Sequence, residues 1–379
     1  MPKRWVVICC PVSGKKDAVD VLNRDFFPRA KELGIDCRME LTLRAGHALE
    51  LAKQYGTADC GLILVGGDGT IHEAMDGLLE NGTLQDVTIA LLSQGTMNFY
   101  WHSGCLPSPA ELPDFLKNNS SRKQSLMKVK DDPGKMDTMC FEAIYLGVGY
   151  RPAQGAQEWR NSYLGPFFGI MYNIIKCNLF PASTAIEGTL TIWPSGSSNP
   201  IVVTDSFFWI VITQRNPYNG TLTEDEMWVS YLSLNAFPGF GRMMDSFAPP
   251  MECQSGLVNL MEAHYKVSKC EWNQSVGSIG VCLDGDPMQT GSYLMVEHVP
   301  RAWNIVAEKA FPRRVADEVT RILKPTEAAT RWLADPKNAP GKETYVPKGL
   351  NNSYDSSKSQ TVLLLGGLGL ALAAYFWLL

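Results

Sequence analysis

Short apolar runs alternate with stretches of helical spacing over the first third of the chain. Residues 5–10 form an apolar run that reads as a strand. Val19, Leu22, Phe26 and Ala30 recur three to four positions apart, which predicts a helix over 17–33, and residues 36–41 alternate again. The same reading gives a helix at 46–55, a strand at 61–65, a helix at 71–79 and a strand at 88–92. Strands interleaved with helices predict βαβ units and a Rossmann-like, mostly parallel sheet. Ligands of such sheets lie beyond the carboxyl ends of the strands. Three loops occupy that position: 11–16, 66–70 and 93–98.

After about residue 125 the pattern changes to short runs rich in Tyr, Phe, Trp and Val, separated by Pro, Gly and Asn. Runs at 140–148, 189–193, 207–213, 228–234, 257–265 and 292–298 predict the strands of an antiparallel β-sandwich, with a helical interruption at 159–180. Residues 300–323 are expected to return toward the first part, with a last helix from Arg314. The expected organisation is an α/β domain at 1–125, a β-rich domain at 126–335, a linker at 336–360 rich in Asn, Ser, Lys and Gly, and a terminal helix at 361–379. Residues 362–379 hold no charge and span about 27 Å as a helix, close to a bilayer core. The reading is therefore a C-terminal transmembrane anchor with the rest facing the cytosol, in the endoplasmic reticulum or the mitochondrial outer membrane. The apolar run at 5–10 is too short for an export signal.

Composition narrows the partners. The 379 residues carry a net charge of −5 without a block of Lys and Arg, which argues against a nucleic-acid footprint. Ten cysteines include no Cys-x-x-Cys pair and read as reduced, mostly buried thiols. The most informative chemistry lies at 61–70, where an apolar strand runs into Gly66-Gly67-Asp68-Gly69-Thr70. Residues without side chains let backbone N–H groups approach phosphate oxygens, and the helix that follows turns its positive end to the same spot. Asp68 stands where it can orient Mg²⁺ or accept a proton. His72-Glu73 does not open a zinc-protease motif, because position 76 is Asp.

The order of these loops resembles the diacylglycerol kinase and sphingosine kinase catalytic family, over roughly residues 5–306. The family's Asn-Pro-x-x-Gly-x-Lys-like loop stands here as Cys10-Pro11-Val12-Ser13-Gly14-Lys15, with Cys in place of Asn. The segment from Thr42 through Arg44 to His47-Ala48 is similar to one that sphingosine kinases place beside the nucleotide, and Gly66–Thr70 followed by His72-Glu73 is the family signature. The turn Gly95-Thr96-Met97-Asn98 resembles a family Pro-x-Gly-Ser/Thr-x-Asn turn, with Gln94 for Pro. Phe247-Ala248-Pro249-Pro250-Met251 and Ser255-Gly256-Leu257-Val258 look like sphingosine kinase second-domain sequence. Leu283-Asp284-Gly285-Asp286 is similar to the family's Asp-Gly-Glu, with a shorter final acid.

The resemblance implies a kinase that uses ATP and Mg²⁺ to phosphorylate a lipid hydroxyl. Phosphoryl transfer asks mainly for positioning and charge neutralisation. The implied nucleotide contacts are Cys10, Ser13, Gly14, Lys15, Lys16, Thr42, Arg44, His47, Gly66, Gly67, Gly69, Thr70, Glu73, Gly95, Thr96, Asn98, Gly285 and Asp286, with Lys15 or Lys16 as countercharge. Asp68 and Asp284 compete for the role of base, and Asp68 and Asp286 are the implied metal contacts. Trp159, Tyr163, Leu164, Phe167, Phe168 and Met171 lie in a stretch apolar on more than one face and are the lipid-contact candidates. Sphingosine kinases place an amine-recognising Asp before the Leu-Gly pair; that position is Gly155 here. Arg151 and the Tyr163-Leu164-Gly165-Pro166 turn resemble acylglycerol kinases better, so a mono- or diacylglycerol is favoured over a sphingoid base. An NAD kinase-like enzyme and a membrane-tethered pseudokinase are the further readings.

Overall fold

The structure, a computed structural model, describes residues 2–13, 17–93, 106–132, 137–159, 162–163, 165–215, 217, 225–237, 239 and 261–307. Its N-terminal part is a parallel layer of β1 (Arg4–Cys9), β2 (Cys37–Leu41), β3 (Cys60–Gly66) and β4 (Thr88–Ser93), in the order β2-β1-β3-β4. Every residue of β3 is buried, as a parallel strand covered on both faces requires. Val6, Ile8, Leu62 and Leu64 face the helices His47–Tyr55 and Asp68–Glu80, where Leu51, Met75 and Leu78 meet them. Trp5, Val7, Ile63 and Val65 point the other way, onto Leu22, Phe26, Leu112 and Leu116. The helix expected at 17–33 is present but widens into a π-turn at Leu22–Phe26. Pro28 stands two residues further on, and its ring and missing N–H are incompatible with an undisturbed α-helical turn before it.

The remaining strands are β5 (Ser121–Asp131), β6 (Asp137–Cys140), β7 (Ala143–Gly147), β8 (Ile186–Pro194), β9 (Ile201–Thr213), β10 (Met227–Ser233), β11 (Ala263–Gln274), β12 (Ile279–Leu283), β13 (Asp286–Thr290) and β14 (Tyr293–Val306). All their mutual pairings are antiparallel. β8 pairs with both β9 and β11, and β10 joins those two, so the ladders close a circuit around an interior of Leu190, Ile192, Phe207, Ile210, Val229 and Trp272.

This corrects the expected fold class. The molecule is a mixed α/β fold whose sheet is mostly antiparallel, and not a parallel-sheet domain followed by a separate sandwich. The physical reason is β14. Its first half pairs with β11, while Asn304 and Ile305 lie parallel to Thr88 and Ile89 of β4, and β5 runs antiparallel along nearly its whole length. One bent strand thereby joins both regions into a 14-stranded sheet. The expected membrane helix is corrected as well. Among the described residues no helix is long and apolar enough to cross a membrane, and residues 361–379 lie outside them, as do the linker and the helix expected from Arg314. The anchor and the localisation argued from it are withdrawn.

Candidate active site

Three strand ends of the parallel layer converge. Cys10 follows β1, and its N–H donates to the Val65 carbonyl (2.8 Å), while the Thr42 N–H donates to the Cys9 carbonyl (2.9 Å). The Gly67 N–H donates to Ser13 Oγ at 3.2 Å, tying the first loop to the glycine-rich one. The Cys10 thiol sits among the hydroxyls of Ser13, Thr42 and Thr70; burial opposes its ionisation, but these hydrogen bonds outweigh that and lower its pKa. The helix after β3 begins at Asp68 and not at 71, with Gly67 as its N-cap. Asp68 therefore lies in the first turn, at the positive helix end, whose N–H groups have no partner within the helix.

The second acid-bearing turn reaches this mouth from the antiparallel region. Asp284 and Gly285 have φ of 49° and 94°, as a two-residue type I′ hairpin between β12 and β13 requires. That turn lays Asp286 over the glycine-rich loop: a Cβ on Gly69 would lie 3.3 Å from Asp286 Oδ2, a tight contact that glycine avoids. Asp284 is only 8% exposed. Its carboxylate accepts the N–H groups of Phe141 (2.7 Å), Glu142 (2.8 Å) and Ala143 (3.1 Å) and the Cys140 thiol (3.0 Å). His72 Nδ1 stands 3.6 Å from Asp284 Oδ2, and His72 Nε2 is 3.4 Å from Asp76 Oδ2. Burial raises the Asp284 pKa, but the His72 contact and these hydrogen bonds bring it below the usual carboxylate value. Burial likewise works against the His72 charge, and the close Asp284 carboxylate, with the charges of Asp76 and Asp286, overrides it to raise the imidazole to about 9. Behind this turn Glu142 and Arg215 form a buried ion pair.

A helical hairpin, Tyr150–Glu158 and Gly165–Leu179, flanks the antiparallel region. Its helices touch backbone to backbone: a Cβ on Gly155 would lie 2.4 Å from the Gly169 carbonyl oxygen and 2.2 Å from Asn173 Nδ2. Ile170, Ile174 and Cys177 face inward, whereas Phe168 and Tyr172 are exposed and Trp159 packs on their rings at 4.9 and 6.5 Å. Tyr163 is 91% exposed and Met171 is half-buried.

Residues 4–129 match the diacylglycerol kinase catalytic domain family. Over 100 residues the chain is 34% identical to Sphingoid long-chain bases kinase 1 of Arabidopsis thaliana, covering 25% of this chain and 13% of that protein. Over 240 residues it is 25% identical to Diacylglycerol kinase of Staphylococcus carnosus (strain TM300), covering 57% of this chain and 74% of that one. The stretch 4–129, which holds the converged loops of the parallel layer, is thus of the diacylglycerol kinase catalytic domain family. The fold is shared with a crystal structure of a diacylglycerol kinase from Bacillus anthracis str. Sterne, at TM-score 0.55 and 14% identity over 81% of this chain and 97% of that one.

Of the lipid-kinase motif residues, the structure brings together Cys10, Ser13, Thr42, Gly66, Gly67, Asp68, Gly69, Thr70, Gly285 and Asp286. Arg44 is turned instead to Glu50, with Nη2 at 2.7 Å from its carboxylate, and His47 Nδ1 accepts the Leu43 N–H at 3.0 Å. Glu73 is half-buried on the helix after Asp68. Gly14, Lys15, Lys16, Gly95, Thr96, Asn98, Leu164 and the side chain of Phe167 lie outside the described residues. Sequence reading missed His72 and Asp76 as members of the site. The available signal was spacing, since Asp68, His72 and Asp76 recur every four residues and share a helix face. The Phe141–Ala143 amides carry no such mark, because backbone N–H groups are common to every sequence. Among the described residues no group of three or more His, Cys, Asp and Glu side chains is disposed to hold a metal ion. Mg²⁺ commonly takes one or two carboxylates and completes its shell with water and substrate phosphate, so Asp68 and Asp286 fit such an ion.

Proposed function

We propose that this chain is an ATP-dependent lipid kinase that phosphorylates a primary hydroxyl of a mono- or diacylglycerol. The observation that carries the reading is the convergence of Asp68, Gly69 and Asp286 at the mouth of the parallel layer. The backbones of 13–16 and 66–70 hold the nucleotide phosphates, Lys15 or Lys16 supplies countercharge, and Thr96 and Asn98 bound the nucleotide. Asp68 and Asp286 hold Mg²⁺, which neutralises phosphate charge when bound. Asp68 accepts the lipid hydroxyl proton. Asp284 is the weaker candidate, because four donors and His72 already occupy its oxygens and its depressed pKa makes it a poor proton acceptor.

The exposed rings of Phe168 and Tyr172, with half-buried Trp159 packed on them and Tyr163 and Met171 nearby in sequence, receive the acyl chain, and Leu164 and Phe167 are the further lipid contacts proposed. The choice of glycerolipid over sphingoid base rests on Gly155. An acid at that one position would be driven into the Gly169 backbone, which supports the reading that no amine counterion stands there. Glu158, the acid in that helix, accepts the Gln154 amide at 2.8 Å. The test is transfer of radiolabelled phosphate from ATP to monoacylglycerol, diacylglycerol, sphingosine and NAD in parallel. Labelled acylglycerols are expected to dominate. Product from sphingosine alone reverses the substrate order, product from NAD alone moves the chain to the NAD kinase-like reading, and ATP binding without any product favours the pseudokinase.

A further inference from the structure

We infer that His72 is a positioning residue: paired with Asp76 on its own helix and with Asp284 in the β12–β13 turn, it ties that hairpin across to the glycine-rich loop and so keeps Asp286 over Gly69. The hairpin lies at one end of the sheet. Among the described residues β13 pairs with β12 alone, and β12 is joined to β7 only over Val281–Leu283. Strand pairing alone therefore does not fix the tip of the turn against the parallel layer; the helix Tyr150–Glu158 also packs on the hairpin. The backbone amides that hold Asp284 belong to the β6–β7 connection, whose Phe141 side chain packs in the core shared with Ile71 and Met75 of the helix after β3, so this connection and His72 together join the turn to the parallel layer. His72 belongs to the helix that starts at Asp68, and its 3.6 Å contact with Asp284 crosses between the two regions.

The ring is held in place on its other sides. Its side chain is 12% exposed, and Phe141 meets it edge-on at 5.8 Å and 82°, backed by Trp303 at 6.1 Å. The titratable groups acting on it are Asp284 and Asp286 from the turn and Asp76 from its own helix, with Cys140 of β6 bonded to the same Asp284 carboxylate. The three carboxylates favour a cationic imidazole against the effect of burial, while the buried Cys140 thiol stays neutral. A neutral ring would leave Asp284 and Asp76 with weaker partners and the hairpin with a weaker tie. Because Asp286 is proposed to meet nucleotide-bound Mg²⁺, the inference rests on the kinase reading, and its consequence is nucleotide affinity and not lipid affinity.

The test uses the whole chain and MgADP as probe, with calorimetry as readout and no lipid present. His72→Gln, which keeps a donor but loses the charge, is expected to weaken MgADP binding about tenfold. Asp284→Asn should do the same, and the double variant should bind no more weakly than either single one, since both remove one tie. KM for acylglycerol should change by no more than about twofold, a split that general loss of structure would not give. Unchanged MgADP affinity in His72→Gln, or fully additive losses in the double variant, overturns the inference. If His72→Gln does not fold, imidazole ¹⁵N shifts of the wild-type protein decide: His72 doubly protonated at pH 8 supports the tie, and a neutral ring there overturns it. Wild-type protein that binds no MgADP sinks the kinase reading itself, and this inference with it. Wild-type binding with an unaffected variant sinks the inference alone.

Discussion

Two Asp-Gly pairs meet at the mouth of the parallel layer, and their surroundings are opposite. Asp68-Gly69 opens a helix, with its carboxylate at the positive helix end and partly open to solvent. Asp284-Gly285 turns a hairpin, with its carboxylate buried and taken up by the Phe141, Glu142 and Ala143 amides, the Cys140 thiol and His72. The same dipeptide thus yields one half-exposed acid and one enclosed by donors. What separates them is solvation and the supply of donors, which shift a carboxylate's basicity far more than its motif does.

The contrast can be broken by substitution. Asp68→Asn is expected to lower kcat by about 10²–10⁴ with little change in denaturation midpoint, as loss of a positioned base does. A variant of near-normal turnover would hand the role to another group. Asp284→Asn turns an amide donor toward backbone N–H groups and strips His72 of its counter-charge, so it should cost about 3 kcal/mol in urea unfolding. Should it instead unfold like the wild type and lose only turnover, the assignment of the two acids is reversed.

Titration sharpens the same comparison. His72 holds its proton more tightly folded, at about 9 against 6.5, so its stabilisation is complete below pH 6.5 and is lost as pH rises through about 9. Urea unfolding should register a loss of about 2 kcal/mol between pH 7 and 10. The depressed Asp284 carboxylate acts at the other end: its contribution is present above the unfolded value of 3.8 and disappears as pH falls below it. A profile flat from pH 7 to 10 would argue against the pairing. The smallest effect is expected at Arg44, which is exposed and already paired with Glu50. Arg44→Ala should change KM for ATP by no more than about twofold, and a larger change would return this residue to the nucleotide site.

The parallel layer was legible because its signals are local. The apolar run at 61–65 and the spacing of Val19, Leu22, Phe26 and Ala30 each mark one element within a few turns of chain. The antiparallel region was read less well. The run expected at 292–298 extends to Val306, the strands at Ser121–Asp131 and Asp286–Thr290 were missed, and the run at 140–148 splits into β6 and β7 around Phe141. Long strands that pair with different partners along their length alternate imperfectly, since each half buries a different face. The Asp-Gly hairpin at 284–285 had a usable signal, but its flanks, Cys282-Leu283 and Asp286-Pro287, do not alternate.

By itself the sequence determined the glycine-rich turn with its acid, the helices that cover the parallel strands and the motif order shared with lipid kinases. Each depends on residues close together in the chain, where backbone preference and side-chain periodicity act directly. Only the tertiary structure decided that β14 joins the two regions into one sheet, that Asp286 rests on Gly69 and that His72 faces Asp284. These contacts bring together residues more than 200 positions apart, and they follow from burial and strand register, which no local pattern encodes.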